Sequence, residues 1–417
     1  MLKTLWNRRH QPWVMLWPLA LAQMTSWGTM YYSFSLFSGP MQRDLGWSQP
    51  AMNTALTLGL LMTGVMAYPI GTLFDRTGGR WLMTLGSLGG GLLLLVWSDI
   101  KTLPQFFVMW LTLGVCMACC LMEPLMAVIN RVFGKEARRG IIAVTMVTGL
   151  SGTVFVPLSG YLINVLDWRP TMALLGALNL VFCAPVHWWF VPPRDGGTRT
   201  EHPMFKLRGR VHMRRRLRNP VFWGLALWYT SYSLTASSLI FQFVPVLRAE
   251  QVADSVIFSA FALIGPMQVA ARMVIVTVAR HASIARLGAF TSLLSPLAVL
   301  ILIVAPHERW WLYLFATCFA TGHGITTILR GIAPIEWLGR EHFARTMGAI
   351  ALPMSVAMAT APSLTAHVWS ASGSSRSMLW MVFAGALLGT VGYWIAVSAR
   401  RRARRLAVAG RHLPRTP

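Results

Sequence analysis

The sequence predicts an all-α membrane protein, with twelve transmembrane helices in two pseudo-symmetric six-helix bundles. Three observations lead there. Hydrophobic residues make up 55% of the 417 and charged residues only 12%, where a soluble chain of this length would form two or three domains with charged surfaces. The apolar runs mostly exceed ~18 residues, too long for ordinary buried helices, and at roughly 20 residues per crossing the chain has room for about a dozen. Third, the basic residues sort by side. Segments between runs are assigned alternately to two sides, and basic residues at the edge of a run are counted with its loop. Then 29 of the 37 lysines and arginines fall on the side holding both termini; six fall on the other, one per loop, and two lie within runs. An error in the number of runs would scramble that alternation. The positive-inside rule places both termini in the cytoplasm, and it accounts for the net charge of +24 without nucleic acid.

The runs lie near 12–37, 49–70, 81–98, 104–129, 141–166, 170–192, 220–247, 255–279, 283–305, 309–333, 343–369 and 376–399. The first follows Lys3, Arg8 and Arg9 and contains "ALA" at Ala20–Ala22, like a secretory signal. It continues to Phe37, and cleavage would leave an odd number of spans, so it reads as a span. The second runs into "GTLFDRTGGRW", Gly71 to Trp81. The third, ninth and twelfth carry no ionisable residue deep in the membrane. The fourth holds "CMACC" and then Glu123. A soft-metal site there is the sharp reading, and small residues for close helix packing the bland one, which we adopt; no metal and no cofactor is expected. All five cysteines lie within spans, so no disulfide framework is indicated. The eighth span contains "GPMQVAARMVIVTVA", Gly265–Ala279, with Arg272 inside it, and the tenth contains His323 and Arg330.

A basic polar segment divides the spans six and six. The expected domains are therefore a first bundle over 1–192, a cytoplasmic linker over 193–219 with nine lysines and arginines, a second bundle over 220–399, and a basic, poorly ordered tail over 400–417. The linker's arginines are placed to meet anionic lipid headgroups. A shift of 205 residues sets Pro40 on Pro245, Gly134 on Gly339, Glu136 on Glu341 and Pro157 on Pro362, each at the same point of its half. That is the pattern of a parallel six-helix duplication.

The stretch "GTLFDRTGGRW" resembles the G-x-L-x-D-R-x-G-R-R/K signature of the major facilitator superfamily. Gly71, Leu73, Asp75, Arg76, Gly78 and Arg80 match, and Gly79 takes a slot more often basic. Glycines permit a tight turn, Asp75 suits a helix N-terminus, and Arg76 and Arg80 are expected to hold the loop at the cytoplasmic face. The resemblance covers essentially the whole chain. It implies a transporter working by alternating access, with spans 1, 4, 7 and 10 lining a cavity. A narrower likeness rests on "SFSLFSGPMQRDLGWSQ", "DWRP" and the arginine of the eighth span, which resemble the branch of monocarboxylate transporters and oxalate–formate exchangers. Monocarboxylate transporters pair that arginine with an aspartate one turn earlier, where this chain has Gln268. The fifth span, "GLSGTVFVPLSG", has Val156 where the antiporter signature has glycine before proline, so efflux is not argued from it.

The candidate site follows from the cost of intramembrane charge, about 2.5–3.5 kcal/mol at mid-bilayer on insertion scales, which leads such groups to face a cavity or a partner. Arg272 and Gln268, one turn apart, form the expected substrate site, with Tyr31, Tyr32 and His323 as further ligands. The alternatives are a structural or snorkelling arginine, a neutral packing histidine and interfacial tyrosines. Glu123 and Arg330, of opposite charge and similar depth, are the expected inner gate; the alternative ties Glu123 to Arg131 or Arg139. No nucleotide-binding loop or nucleophile–base pattern appears, so no enzyme is expected. The expected function is secondary transport of a small organic anion, a carboxylate first, across the cytoplasmic membrane by a monomer, with a proton or counter-anion as coupling partner. Transport or export of a neutral or amphipathic compound is the alternative, and a non-transporting sensor ranks behind it.

Overall fold

The computed structural model describes residues 11–32, 34–193, 213–277, 282–305 and 308–409. Among these the chain is helical, with no strand. The basic start with Lys3, Arg8 and Arg9, most of the linker and the last part of the tail lie outside the described residues.

The first rod is α1 (Pro12–Trp27), a wide π-turn at Gly28–Tyr32, and α2 (Phe34–Leu45). Next come α3 (Gln49–Thr77) and α4 (Gly79–Ser98). The fourth rod is broken into α5 (Leu103–Cys120) and α6 (Met122–Phe133), and the fifth into α7 (Ala137–Thr148) and α8 (Ser151–Leu166). The sixth is α9 (Trp168–Leu178), a second π-turn at Asn179–Cys183, and α10 (Ala184–Phe190). Then follow α11 (Pro220–Ala249), α12 (Asp254–Thr277), α13 (Ile284–Val304), α14 (Arg309–Leu338), α15 (Phe343–Ser372) and α16 (Ser375–Ala409). Nine stretches among the described residues are long and apolar enough to cross a membrane, and one of these, Leu103–Leu166, has 64 residues and so suffices for two crossings. With the first rod and α11, this is consistent with twelve.

Local chemistry sets the ends. Ser48 accepts from the Ala51 N–H, Asp167 from Trp168 at 2.7 Å and Asn219 from Val221 at 2.9 Å, each satisfying a helix-start donor that has no intrahelical partner. Gly134 (φ 51°) and Gly339 (φ 92°) close α6 and α14 in a backbone region that side chains disfavour. They are the pair aligned by the 205-residue shift, so the two halves end corresponding helices by the same device. The tail departs from expectation. It continues α16 as helix to Ala409, because its arginines, alanines and leucine are strong helix formers.

The chain forms two compact units. The first holds the described residues up to 193 together with 342–359, and the second holds 213–341 and 360–409. The inner part of α15 therefore belongs to the first unit, where it lies against α3. A side chain at Gly348 would stand 2.7 Å from the Ala67 carbonyl carbon, and one at Gly71 would strike the Ala344 carbonyl. Small residues of this kind let membrane helices approach closely, with dispersion and hydrogen bonds in place of a hydrophobic driving force. The core of the first unit gathers Phe34, Phe37, Trp97, Phe106 and Trp110; that of the second gathers Phe243, Phe315, Phe319 and Leu302.

Candidate functional site

The signature is mostly helix, not loop. α3 runs through Thr77 and α4 opens at Gly79, so only Gly78 (φ 79°) is non-helical. Gly79 lies where a side chain would meet the Phe74 ring at 2.6 Å, which explains glycine in that slot. Leu73 and Arg76 are exposed. The Asp75 carboxylate accepts the Arg345 backbone N–H at 3.2 Å, in the first turn of α15, where the helix dipole favours an anion. His342 Nδ1 stands 3.9 Å from the same oxygen, and Arg345 Nε donates to Thr72 Oγ1 at 3.1 Å. Arg80, expected to hold this segment at the cytoplasmic face, makes specific contacts. It is buried, donates from Nε to the Val191 carbonyl at 2.8 Å and lies 5.6 Å from the Trp188 ring, tying α4 to the end of α10.

Also in the first unit, Tyr31 and Tyr32 sit in the π-turn of the first rod. Their rings meet edge to face at 5.1 Å, and Trp27 joins Tyr31 at 5.3 Å. Tyr31 is half-buried and Tyr32 is 39% exposed. Glu123, half-buried, stands in the first turn of α6 just past the break in the fourth rod. Arg139 pairs with Glu136 at 3.2 Å, and Arg131 donates to the Pro192 carbonyl at 2.9 Å. "DWRP" is a clasp: Arg169 donates from Nε and Nη2 to Asp44 at 3.1 and 3.0 Å, and from Nη1 to the Ser98 carbonyl.

The second unit brings together Arg272, Gln268 and His323. Arg272 is 4% exposed. Its Nε donates to the Gly324 carbonyl at 3.4 Å, and Nη2 donates to Gln268 Oε1 at 3.3 Å and to Thr327 Oγ1 at 3.4 Å. Gln268 thus turns its oxygen to the guanidinium, which has only donors to offer. His323 Nδ1 lies 2.5 Å from the Tyr232 hydroxyl of α11, with the donor set by the imidazole tautomer. Between Phe319 and Ile335 of α14 the residues not fully buried are Thr321, His323, Thr327 and Arg330. His323, Thr327 and Arg330 follow at spacings of four and three, so one face of an otherwise buried helix is polar and accessible. Glu123 and Arg330 belong to different units. Tyr232, Thr327 and Gly324 are absent from the residues the sequence suggests. Thr327, one turn from His323 and three residues before Arg330, was findable by helical spacing. A lone mid-span tyrosine carries no such signal.

The five cysteines are free thiols, and among the described residues no group of three or more His, Cys, Asp or Glu is placed to hold a metal. Apolar rods in two units, charged side chains within apolar helices and an aspartate at the end of α3 clamped on a helix start define a polytopic membrane protein of the transporter type. Residues 19–333 match the Major Facilitator Superfamily, and the chain belongs to that family. The crystal structure of the human organic anion transporter MFSD10 (TETRAN) is similar in fold, with a TM-score of 0.69 at 15% sequence identity over 93% of this chain and 99% of that one. No curated protein sequence matches the chain. The family transports small molecules across membranes, and it points to a transporter rather than an enzyme.

Proposed function

We propose that the protein is a secondary transporter for a small organic anion, a carboxylate first, working by alternating access in the cytoplasmic membrane with both termini inside. Arg272 carries the reading. Hydrogen bonds to Gln268, Gly324 and Thr327, each a neutral acceptor, orient the guanidinium. Arginine offers a planar fork that matches a carboxylate bidentately. The adjoining polar face of His323, Thr327 and Arg330 gives an anion a path of donors. Glu123 and Arg330 are the gate residues of this proposal, and Tyr31, Tyr32 and His323 its further ligands. The organic anions in the name of the human neighbour agree with the reading, though at 15% identity that likeness speaks to fold.

The test is uptake of a panel of radiolabelled mono- and dicarboxylates into proteoliposomes, with binding of the best compound to purified protein. A charge-assisted hydrogen bond contributes about 1.5–3 kcal/mol, so Arg272→Gln should weaken binding about 10- to 150-fold. Arg272→Lys should fall between, keeping charge but not the fork. Melting curves run alongside. If Arg272→Gln binds the compound as the parent does, the arginine is structural, and a neutral or amphipathic substrate becomes the better reading.

A further inference from the structure

The break in the fourth rod has a cause in the sequence and a partner in space. Pro124 has no backbone N–H, and its ring crowds the carbonyl four residues back, that of Cys120. Leu121, three residues before Pro124, sits at φ −81°, ψ −150°, out of the helical region. A break inside the membrane leaves backbone groups that no water can satisfy. Gln23 of α1, 0% exposed, is aimed at them. With its amide nitrogen toward the Cys120 carbonyl it donates at 3.2 Å, and its oxygen accepts from the Met122 N–H at 3.0 Å and from Trp27 Nε1 at 3.0 Å. One side chain thus replaces the backbone bond that Pro124 removes and occupies the donor that starts α6.

We infer that Gln23 is a positioning residue: it pins the break in the fourth rod and so sets the direction of Glu123, the residue between Met122 and Pro124. In an unbroken helix Glu123 would point elsewhere around the rod. Here it stands in the first turn of α6, where the helix dipole favours its charge. The first rod carries Gln23, Trp27, Tyr31 and Tyr32 within ten positions, so movement of that rod and the direction of Glu123 are coupled through one amide. The inference stands apart from the substrate reading.

Purified full-length protein in detergent tests it without a substrate. Four proteins are compared: parent, Gln23→Met, Pro124→Ala and the double variant. One readout is the melting temperature. The other is the rate at which dicyclohexylcarbodiimide, a probe of membrane-embedded carboxyls, modifies Glu123, followed by peptide mass spectrometry. Gln23→Met keeps the volume and removes all three hydrogen bonds, so it should lower the melting temperature and change labelling at Glu123 several-fold. Pro124→Ala restores the missing backbone N–H to the Cys120 carbonyl. In that background the substitution at 23 should cost little melting temperature, while Glu123, now in a continuous helix, should still label unlike the parent. An equal loss of melting temperature from Gln23→Met in both backgrounds overturns the inference. So does the same labelling rate in all four proteins. If Gln23→Met alone does not fold, the double variant decides: it should fold, and failure there also overturns the inference.

Discussion

The buried amide of Asn179 illustrates how single residues hold the irregular turns of the first unit. Its nitrogen donates to Thr29 Oγ1 at 2.6 Å and to the Leu175 carbonyl at 3.0 Å, and its oxygen accepts from Ser26 at 3.3 Å. Thr29 lies in the π-turn that carries Tyr31 and Tyr32, and Asn179 opens the other π-turn. The two wide turns are therefore stitched to each other, and such turns occur often at functional sites. Ser151 of α8 adds a bond at 2.6 Å to the Met24 carbonyl in the same region. Removing one partner from such a network leaves buried polar groups unsatisfied, at about 1–3 kcal/mol. Asn179→Leu should therefore lower the melting temperature of the purified protein by several degrees. Asn179→Asp, which keeps the acceptor for Ser26, should lose the two donated bonds and introduce a charge, and should melt lower still. If neither variant melts below the parent, the network does not hold the turns. Nothing in the sequence singled out Asn179, because one asparagine in an apolar run acquires meaning only from what it touches across 150 positions.

At the level of elements, the apolar runs located the rods well, since each run must be long enough to cross and bounded by polar residues. The breaks within them were less legible. Pro124 was a visible signal for the fourth rod and Pro185 for the second π-turn, but no proline marks the first, at Gly28–Tyr32. The signature was placed in the right region and given the wrong form: a loop was expected, yet α3 continues to Thr77 because nothing before Gly78 obliges a helix to stop. The contact of α3 with α15 was not readable at all, as it depends on Gly64, Gly71 and Gly348 meeting residues almost 300 positions away. It can be tested by contrast. A methyl group at Gly348 would lie 2.8 Å from the Tyr68 Cα, whereas one at Gly39 would meet nothing within 4 Å. Overpacking costs typically about 1–3 kcal/mol, so Gly348→Ala should melt measurably lower. Gly39→Ala, in a helix, should be neutral or stabilising by about 0.4–1 kcal/mol. Equal melting of the two variants would mean that α3 and α15 do not pack this closely.

For the whole molecule, the strongest evidence in the sequence is the distribution of charge. Basic side chains are concentrated on one side, and apart from those at span edges only Arg272 and Arg330 lie within predicted spans. The structure extends the pattern, since α16 carries Arg401, Arg402 and Arg405, all exposed, beyond its apolar part. Arg400 anchors this extension to α14, 3.9 Å from Glu336 and 5.1 Å from the Trp337 ring. With the proposed topology, exposed arginines at this position would favour an anionic cytoplasmic leaflet by about 1 kcal/mol each. Substrate identity left no comparable mark, because a binding site is a few side chains from distant helices, whereas topology is summed over every loop. The orientation is therefore the sharpest prediction. In a cysteine-free background, a single cysteine at Ser374, between α15 and α16, should react with a membrane-impermeant maleimide in intact cells. One at Gly196, in the basic linker, should react only after the cells are opened. The 29-to-6 division of basic residues predicts this pattern for a chain with an even number of crossings. Labelling of Gly196 but not Ser374 in intact cells would invert the topology. Labelling of both, or of neither, would mean that the two sites share a side and that the number of crossings between them is even.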